Sequence, residues 1–217
     1  HLANNKLCLS KSSLLNYINR VYGYNKTMKL IKSFLFWQPK HDYLPWFESN
    51  SLRKKILIIL NYIIWLFFFY VSFLLIKSDA NIFGQILVAT IVAEIIERYL
   101  KRKINWCRPL FKRKNQTPFG LVDCWYKTGS FPSGHTIKAI YFLLFILQYQ
   151  VFSPAIFLSV VIPLLIFRVV IGFHYPVDIL GGIVVGVFIW LLTRGIVFPT
   201  SFNQFIQSVF NFVFFIN

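Results

Sequence analysis

Long uncharged apolar runs, broken by short polar stretches, dominate the chain, and their length selects helices. Ile56–Ile76 (ILIILNYIIWLFFFYVSFLLI) holds no charged residue and is long enough to cross a bilayer as a helix. Ile82–Leu100 predicts a second span, less apolar toward its end, where Glu94, Glu97 and Arg98 occur. Ile137–Phe152, Ala155–Ile171 and Ile179–Leu192 predict three more. Pro163 predicts a kink in the fourth, and Gly181, Gly182 and Gly186 offer close helix contact in the fifth. Phe202–Ile216 is apolar but short, which suits either a final span or a helix lying in the lipid. Leu30–Trp37 (LIKSFLFW) is too short to cross and sits in a basic stretch, so it predicts an amphipathic interfacial segment, with a degraded first span as the alternative. The expected fold is all-α, a polytopic helical membrane bundle of five or six spans. Residues 55–217 form the membrane domain, behind an interfacial N-terminal segment of residues 1–54.

Composition supports that reading. Hydrophobic residues make up 57% of the 217, and only 14% are charged, against about 25% in ordinary soluble domains. Such a chain cannot cover a soluble surface, which excludes a cytosolic enzyme, a secreted disulfide scaffold and a disordered chain. Charge adds a second feature, since 23 Lys and Arg against 7 Asp and Glu give a net +16. That excess suits a topology signal, a surface drawn to anionic headgroups or a site for an anionic substrate. Ten of the cations precede Ile56, nine lie from Arg98 to Lys127, and four lie elsewhere. The three cysteines are too few for a disulfide framework. Cys107 and Cys124 can pair if their loop faces an oxidising compartment, or remain thiols. The chain starts at His1, which suggests a trimmed or replaced start, and no signal-peptide pattern follows it.

Polar residues beside the spans carry the candidate chemistry. They form three clusters: Lys101–Pro109 (KRKINWCRP), Phe131–His135 (FPSGH) and Arg168–Asp178 (RVVIGFHYPVD). Crossing once per span places all three on one membrane face. Lys101, Arg108 and Arg168 are three cations converging there, and a phosphate is their natural guest. Ser133 and Gly134 precede a helix whose N-terminus offers unpaired N–H groups to an oxyanion. His135, in the first turn, can protonate a leaving group. His174 and Asp178 lie four apart with Pro176 between. A carboxylate there can orient the imidazole and leave its other nitrogen able to attack. Glu97 precedes Lys101 by four, which suits a structural ion pair or a partner that positions Lys101.

Lys101-x6-Arg108-Pro109, then Pro132-Ser133-Gly134-His135, then Arg168-x5-His174-x3-Asp178 resembles the three-part signature of the type 2 phosphatidic acid phosphatase superfamily. Phe167 departs from it, standing where that family has Ser. The resemblance implies that His174 is the nucleophile, oriented by Asp178, and that His135 protonates the leaving oxygen and later activates water. It implies that Lys101, Arg108, Ser133, Gly134 and Arg168 hold the phosphate oxygens, with no metal and no cofactor.

A site fed from between spans implies an anionic membrane lipid as substrate, within the bilayer and without nucleic acid. The family's bacterial membrane members suggest lipid A 1-phosphate, phosphatidylglycerol phosphate, phosphatidic acid or undecaprenyl diphosphate. Lys112, Arg113 and Lys114 add charge beside the first motif and favour a multiply charged headgroup. Transfer of the phosphate from one lipid to another uses the same histidine and is the alternative reaction; a transporter or scaffold is the non-enzymatic one. The expected location is the bacterial inner membrane with the active face periplasmic, although the positive-inside rule taken alone reads the opposite way.

Overall fold

The computed structural model describes residues 26–39, 41, 43–104, 106–112 and 128–214. Among them every regular element is helical: α1 (Lys26–Leu35), α2 (Leu44–Glu48), α3 (Ser51–Ser78), α4 (Ala80–Ile104), a 3-10 turn (Pro109–Lys112), α5 (Gly134–Tyr149), α6 (Pro154–Val170), α7 (Pro176–Thr193) and α8 (Thr200–Phe214). The all-α expectation is met, and the predicted spans fall on α3 to α8. Three helices, α3, α4 and α7, are both long and apolar enough to cross a membrane. At 1.5 Å rise per residue, α3 is about 42 Å long, more than the roughly 30 Å hydrocarbon core requires. α6 is apolar but shorter, and it runs continuously through Pro163. The end of the predicted Phe202–Ile216 run, and Lys114 with most of the loop before Thr128, lie outside the described residues.

Local chemistry explains the helix ends. Asn50 caps α3 by accepting from the Leu52 N–H at 2.8 Å. Ser153 caps α6, with Pro154 as its first residue. α3 and α4 are joined at Asp79, whose carboxylate accepts from Asn81 N–H at 2.8 Å.

α3 and α4 pack side by side, and α5 sits between α4, α6 and α7. Glycines set how close α5 and α7 come. A Cβ on Gly186 would meet the Ile137 carbonyl oxygen and the Ile140 side chain at 2.8 Å, and one on Gly182 would lie 2.9 Å from the Ser133 carbonyl oxygen. Backbone approach this close gains dispersion contact without needing a solvent-driven hydrophobic effect. The main core joins α3 through Phe68, α5 through Phe142 and Phe145, and α6 through Phe157. Phe68 and Phe142 stack at 5.0 Å. Outward faces are apolar too: Leu66 and Phe69 on α3 and Val184 and Phe188 on α7 are exposed. Apolar surface this continuous suits lipid rather than water.

Of residues 1–54, expected to form an interfacial segment, the first 25 lie outside the described residues, and α1 and α2 lie in the remainder. Leu30, Ile31 and Phe34 of α1 are exposed. Leu44 of α2 is buried in a second small core with Leu57, Leu110, Ile171 and Phe173. Arg53 lies over the Trp46 ring at 4.0 Å.

Candidate functional site

Four chain segments build the site: the C-terminal end of α4 with Trp106–Leu110, the turn Ser130–His135 entering α5, the end of α6, and the Ile171–Asp178 turn into α7. Backbone bonds tie them. Leu110 N–H donates to the Gly172 carbonyl at 3.2 Å, Ser130 N–H to Trp106 at 2.8 Å, and Ser133 N–H to Asp178 at 3.0 Å. Gly172 has φ +86, a left-handed conformation that favours glycine, and it lets the chain reverse after α6. Phe173 and His174 N–H groups then fold back onto the Arg168 carbonyl at 2.9 and 3.3 Å. The Phe131–Pro132 peptide bond is cis.

His174 is buried, and its Nδ1 faces Asp178 Oδ2 at 3.3 Å. The same oxygen accepts from the Tyr175 N–H at 2.7 Å, so Asp178 also caps the start of α7. Its other oxygen lies 3.4 Å from the Ser130 hydroxyl. Tyr175 N–H and the Ser130 hydroxyl hold the carboxylate, and it in turn orients the imidazole, leaving Nε2 as the nitrogen turned from Asp178. Burial, reinforced by the Arg108 and Arg168 guanidinium groups, holds the His174 ring well below its ordinary value. A neutral ring is the nucleophilic form.

The cations come from separate elements. Arg108 donates to the Phe173 carbonyl at 3.0 Å. Arg168 donates from Nη1 to Asn61 Oδ1 at 2.7 Å across to α3. Lys101 pairs with Glu97 at 2.5 Å, the i,i+4 partner. Ser133 is the N-cap residue of α5, and its hydroxyl makes no capping bond. Ser133 Oγ, His135 Nε2 and Arg168 Nε are buried and have no hydrogen-bond partner among the described residues. Buried polar atoms without a partner cost about 1–3 kcal/mol each, and Lys101, Arg108 and Arg168 all act electrostatically on both His135 and His174, so the cations and the two imidazoles share one place that suits a polar ligand. Thus all eight candidate residues, Lys101, Arg108, Ser133, Gly134, His135, Arg168, His174 and Asp178, belong to one region. Among the described residues no three His, Cys, Asp or Glu side chains gather to hold a metal.

Several neighbours lie outside the three motifs. Asn61 sits in an unbroken apolar run, and only the fold shows it facing Arg168. Trp65 of α3 packs its ring against His135 at 5.3 Å. Ser130 lies just before the second motif and reaches Asp178. Lys138, one turn past His135, is buried beside Glu97 at 3.5 Å. Polarity inside predicted spans, at Asn61 and at Lys138, was the available clue.

An aromatic roof covers the turn that holds His174. Phe36, just after α1, packs between Trp106 and Tyr175 at 5.4 and 5.6 Å, and Trp106 meets Phe131 at 5.0 Å. Burial and the neighbouring Asp178 push the Tyr175 phenol up to about 12, while Gln38 hydrogen-bonds its side chain. Phe167, in the place where Ser was expected, meets Phe47 of α2 edge-on at 5.8 Å. Its ring therefore joins the small apolar core beneath α2 and takes no part in the polar cluster. Cys107, next to Arg108, is disulfide-bonded.

A family model described as the PAP2 superfamily matches residues 82–201, more than half of the chain. No curated protein and no solved structure matches it.

Proposed function

The chain belongs to the PAP2 superfamily, and from that premise we propose that it is an integral membrane lipid phosphatase working through a phosphohistidine. The observation that carries the reading is the grouping of buried, unpartnered Ser133 Oγ, His135 Nε2 and Arg168 Nε beside an oriented His174–Asp178 pair. A tetrahedral phosphate supplies acceptors for the hydroxyl and the guanidinium, and its ester oxygen accepts from His135.

In the first step His174 attacks phosphorus, a P–N bond forms and the P–O bond to the lipid breaks. His135 passes its proton to the leaving oxygen. In the second step His135 takes a proton from water as that water attacks the phosphohistidine, which releases inorganic phosphate. Lys101, Arg108 and Arg168 hold charge that grows on the phosphoryl oxygens, the electrostatic share of catalysis. The α5 N-terminus, at Ser133 and Gly134, adds backbone N–H donors. Asp178 keeps the imidazolium-like intermediate in place.

The substrate class is a lipid with a phosphomonoester or diphosphate at the headgroup: lipid A 1-phosphate, phosphatidylglycerol phosphate, phosphatidic acid or undecaprenyl diphosphate. The basic stretch Lys112–Lys114 favours the more highly charged of these. α1, with apolar residues exposed and lysines along its sequence, suits an anionic leaflet beside the site. We place the active face on the periplasmic side of a bacterial inner membrane. The Cys107 disulfide supports this, because disulfides persist in oxidising compartments. Impermeant-maleimide labelling of Lys103→Cys, at an exposed position beside the site, tests it; labelling only from the cytoplasmic side refutes it.

Phosphate release from the four lipids, each alone in detergent, tests the activity. We expect release from at least one, abolished by His174→Ala. Release only after a second acceptor lipid is added, with the phosphate found on that lipid, identifies a phosphotransferase instead.

A further inference from the structure

Lys138 is a cation that none of the three motifs accounts for. It lies one helical turn beyond His135 on α5, and only 5% of it is exposed. Its Nζ reaches Glu97 Oε2 at 3.5 Å and Glu94 Oε2 at 3.8 Å. It also sits over the Trp65 ring at 5.2 Å, the ring that packs against His135. Glu97 uses its other oxygen for Lys101.

Exposure separates these contacts. The Glu94 side chain is 44% exposed, whereas that of Glu97 is 13% exposed. Glu94 is also engaged by Arg98 at 2.7 Å, so its longer contact with Lys138 is the weaker of the two. The buried unit is therefore one carboxylate shared by two ammonium groups. That unit stands at the head of α5: a Cβ on Gly134 would lie 2.2 to 2.4 Å from the Glu97 carboxylate. Glycine there leaves room for the carboxylate beside the helix N-terminus.

The sharing has an electrostatic consequence. A lone Glu97–Lys101 pair in a dry site is neutral, and a neutralised Lys101 offers an incoming phosphate little attraction. A second ammonium on the same carboxylate leaves the unit with one positive charge. We propose that Lys138 is a positioning residue that shares Glu97 with Lys101, so that the three-residue unit keeps a net positive charge facing the substrate phosphate. This rests on the reading above in one respect, that Lys101 meets phosphate. Glu97 then works as a shared anchor that holds both lysines at the α5 N-terminus, and its carboxylate is a brake on the site wherever Lys138 is missing.

A double-variant comparison tests the proposal on the full chain in detergent, with phosphate release from whichever of the four lipids the natural chain hydrolyses as one readout. The second is the rise in unfolding temperature on adding orthovanadate, a tetrahedral oxyanion. Lys138→Met strengthens the hold of Glu97 on Lys101, and we expect kcat/KM to fall about ten- to a hundredfold and the orthovanadate shift to shrink. Adding Glu97→Gln to Lys138→Met removes the brake, and we expect most of both losses to return. A merely structural role predicts the reverse, a double variant no better or worse than the single one, and that result overturns the proposal. So does Lys138→Met with kcat/KM and orthovanadate shift unchanged. If Lys138→Met does not fold, Lys138→Gln removes the charge and keeps a polar end, and the same comparison applies. If the natural chain releases phosphate from no lipid, the phosphatase reading fails; the orthovanadate arm then decides alone. Recovery in the double variant supports the sharing, and no recovery, or no shift in the natural chain, overturns it.

Discussion

Replacing Asn61 by Leu perturbs the site without touching any of its motifs. Asn61 Oδ1 accepts from Arg168 Nη1 at 2.7 Å, and both residues are buried. A hydrogen bond from a charged donor contributes about 1.5–3 kcal/mol, and no water can replace the lost acceptor in a buried position. If Arg168 holds the phosphoryl oxygens, that energy is lost from its orientation. At about 1.36 kcal/mol per tenfold, kcat/KM for lipid phosphate release falls about ten- to a hundredfold. Stability behaves differently, because two effects oppose each other. The guanidinium loses a partner, while Leu suits an apolar helix in lipid better than an amide does. These two terms offset each other, so the unfolding midpoint in detergent moves less than the activity does. The assay is therefore paired: kinetics of phosphate release and thermal unfolding on the same purified protein. Activity within threefold of the natural chain, with the fold intact, refutes the assignment of Arg168 to a bond-fixed role. Equal losses in both readouts also refute it, since they point to a structural part only.

Three further outcomes follow from the same geometry. His174→Ala abolishes phosphate release and any phosphoprotein signal trapped by an alkaline quench, which preserves an acid-labile P–N bond; a labelled protein that persists in the variant contradicts the nucleophile assignment. The His174 ring titrates below its ordinary 6.5, so the unfolded chain binds its proton first as pH falls. Its contribution to stability is thus complete above about pH 6.5 and drains away between that value and the lower folded one. Unfolding midpoints across that window, compared with His174→Gln, check the sign, and a natural chain that gains stability relative to the variant on acidification refutes it. Gly186→Val places side-chain atoms against the Ile137 carbonyl oxygen, which a Cβ would already meet at 2.8 Å. Overpacking of this kind costs about 1–3 kcal/mol, and an unchanged midpoint contradicts the close α5–α7 contact.

Much of the site was legible in the chain itself because its parts are local. His174 and Asp178 are four apart across a proline, and a helix beginning at Pro176 brings them together. Glu97 and Lys101 meet for the same reason. Counting spans placed the three motifs on one face, and backbone bonds such as Ser133 to Asp178 now join them. The amphipathic pattern around α1 was legible, yet the contact of the chain just after it with the site was not. Phe36 enters the aromatic cluster of Trp106 and Tyr175 from far along the chain, a contact no local pattern encodes.

Hydrophobic pattern alone determined that this is a helical membrane chain, because helices are how a long apolar run satisfies its backbone in lipid. Motif spacing picked out the candidate residues and put their local pairs together, because helical periodicity and a capping proline act over a few residues. Tertiary structure alone decided what surrounds them. Asn61 reaches Arg168 across 107 positions and Lys138 reaches Glu97 across 41. Such pairs depend on how α3, α4, α5 and α6 are rotated against one another. That rotation is set by the packing of the phenylalanines in the core and the glycines of α7 as a whole. No short stretch of sequence carries it, so which buried charge answers which carboxylate could be read only from the folded chain.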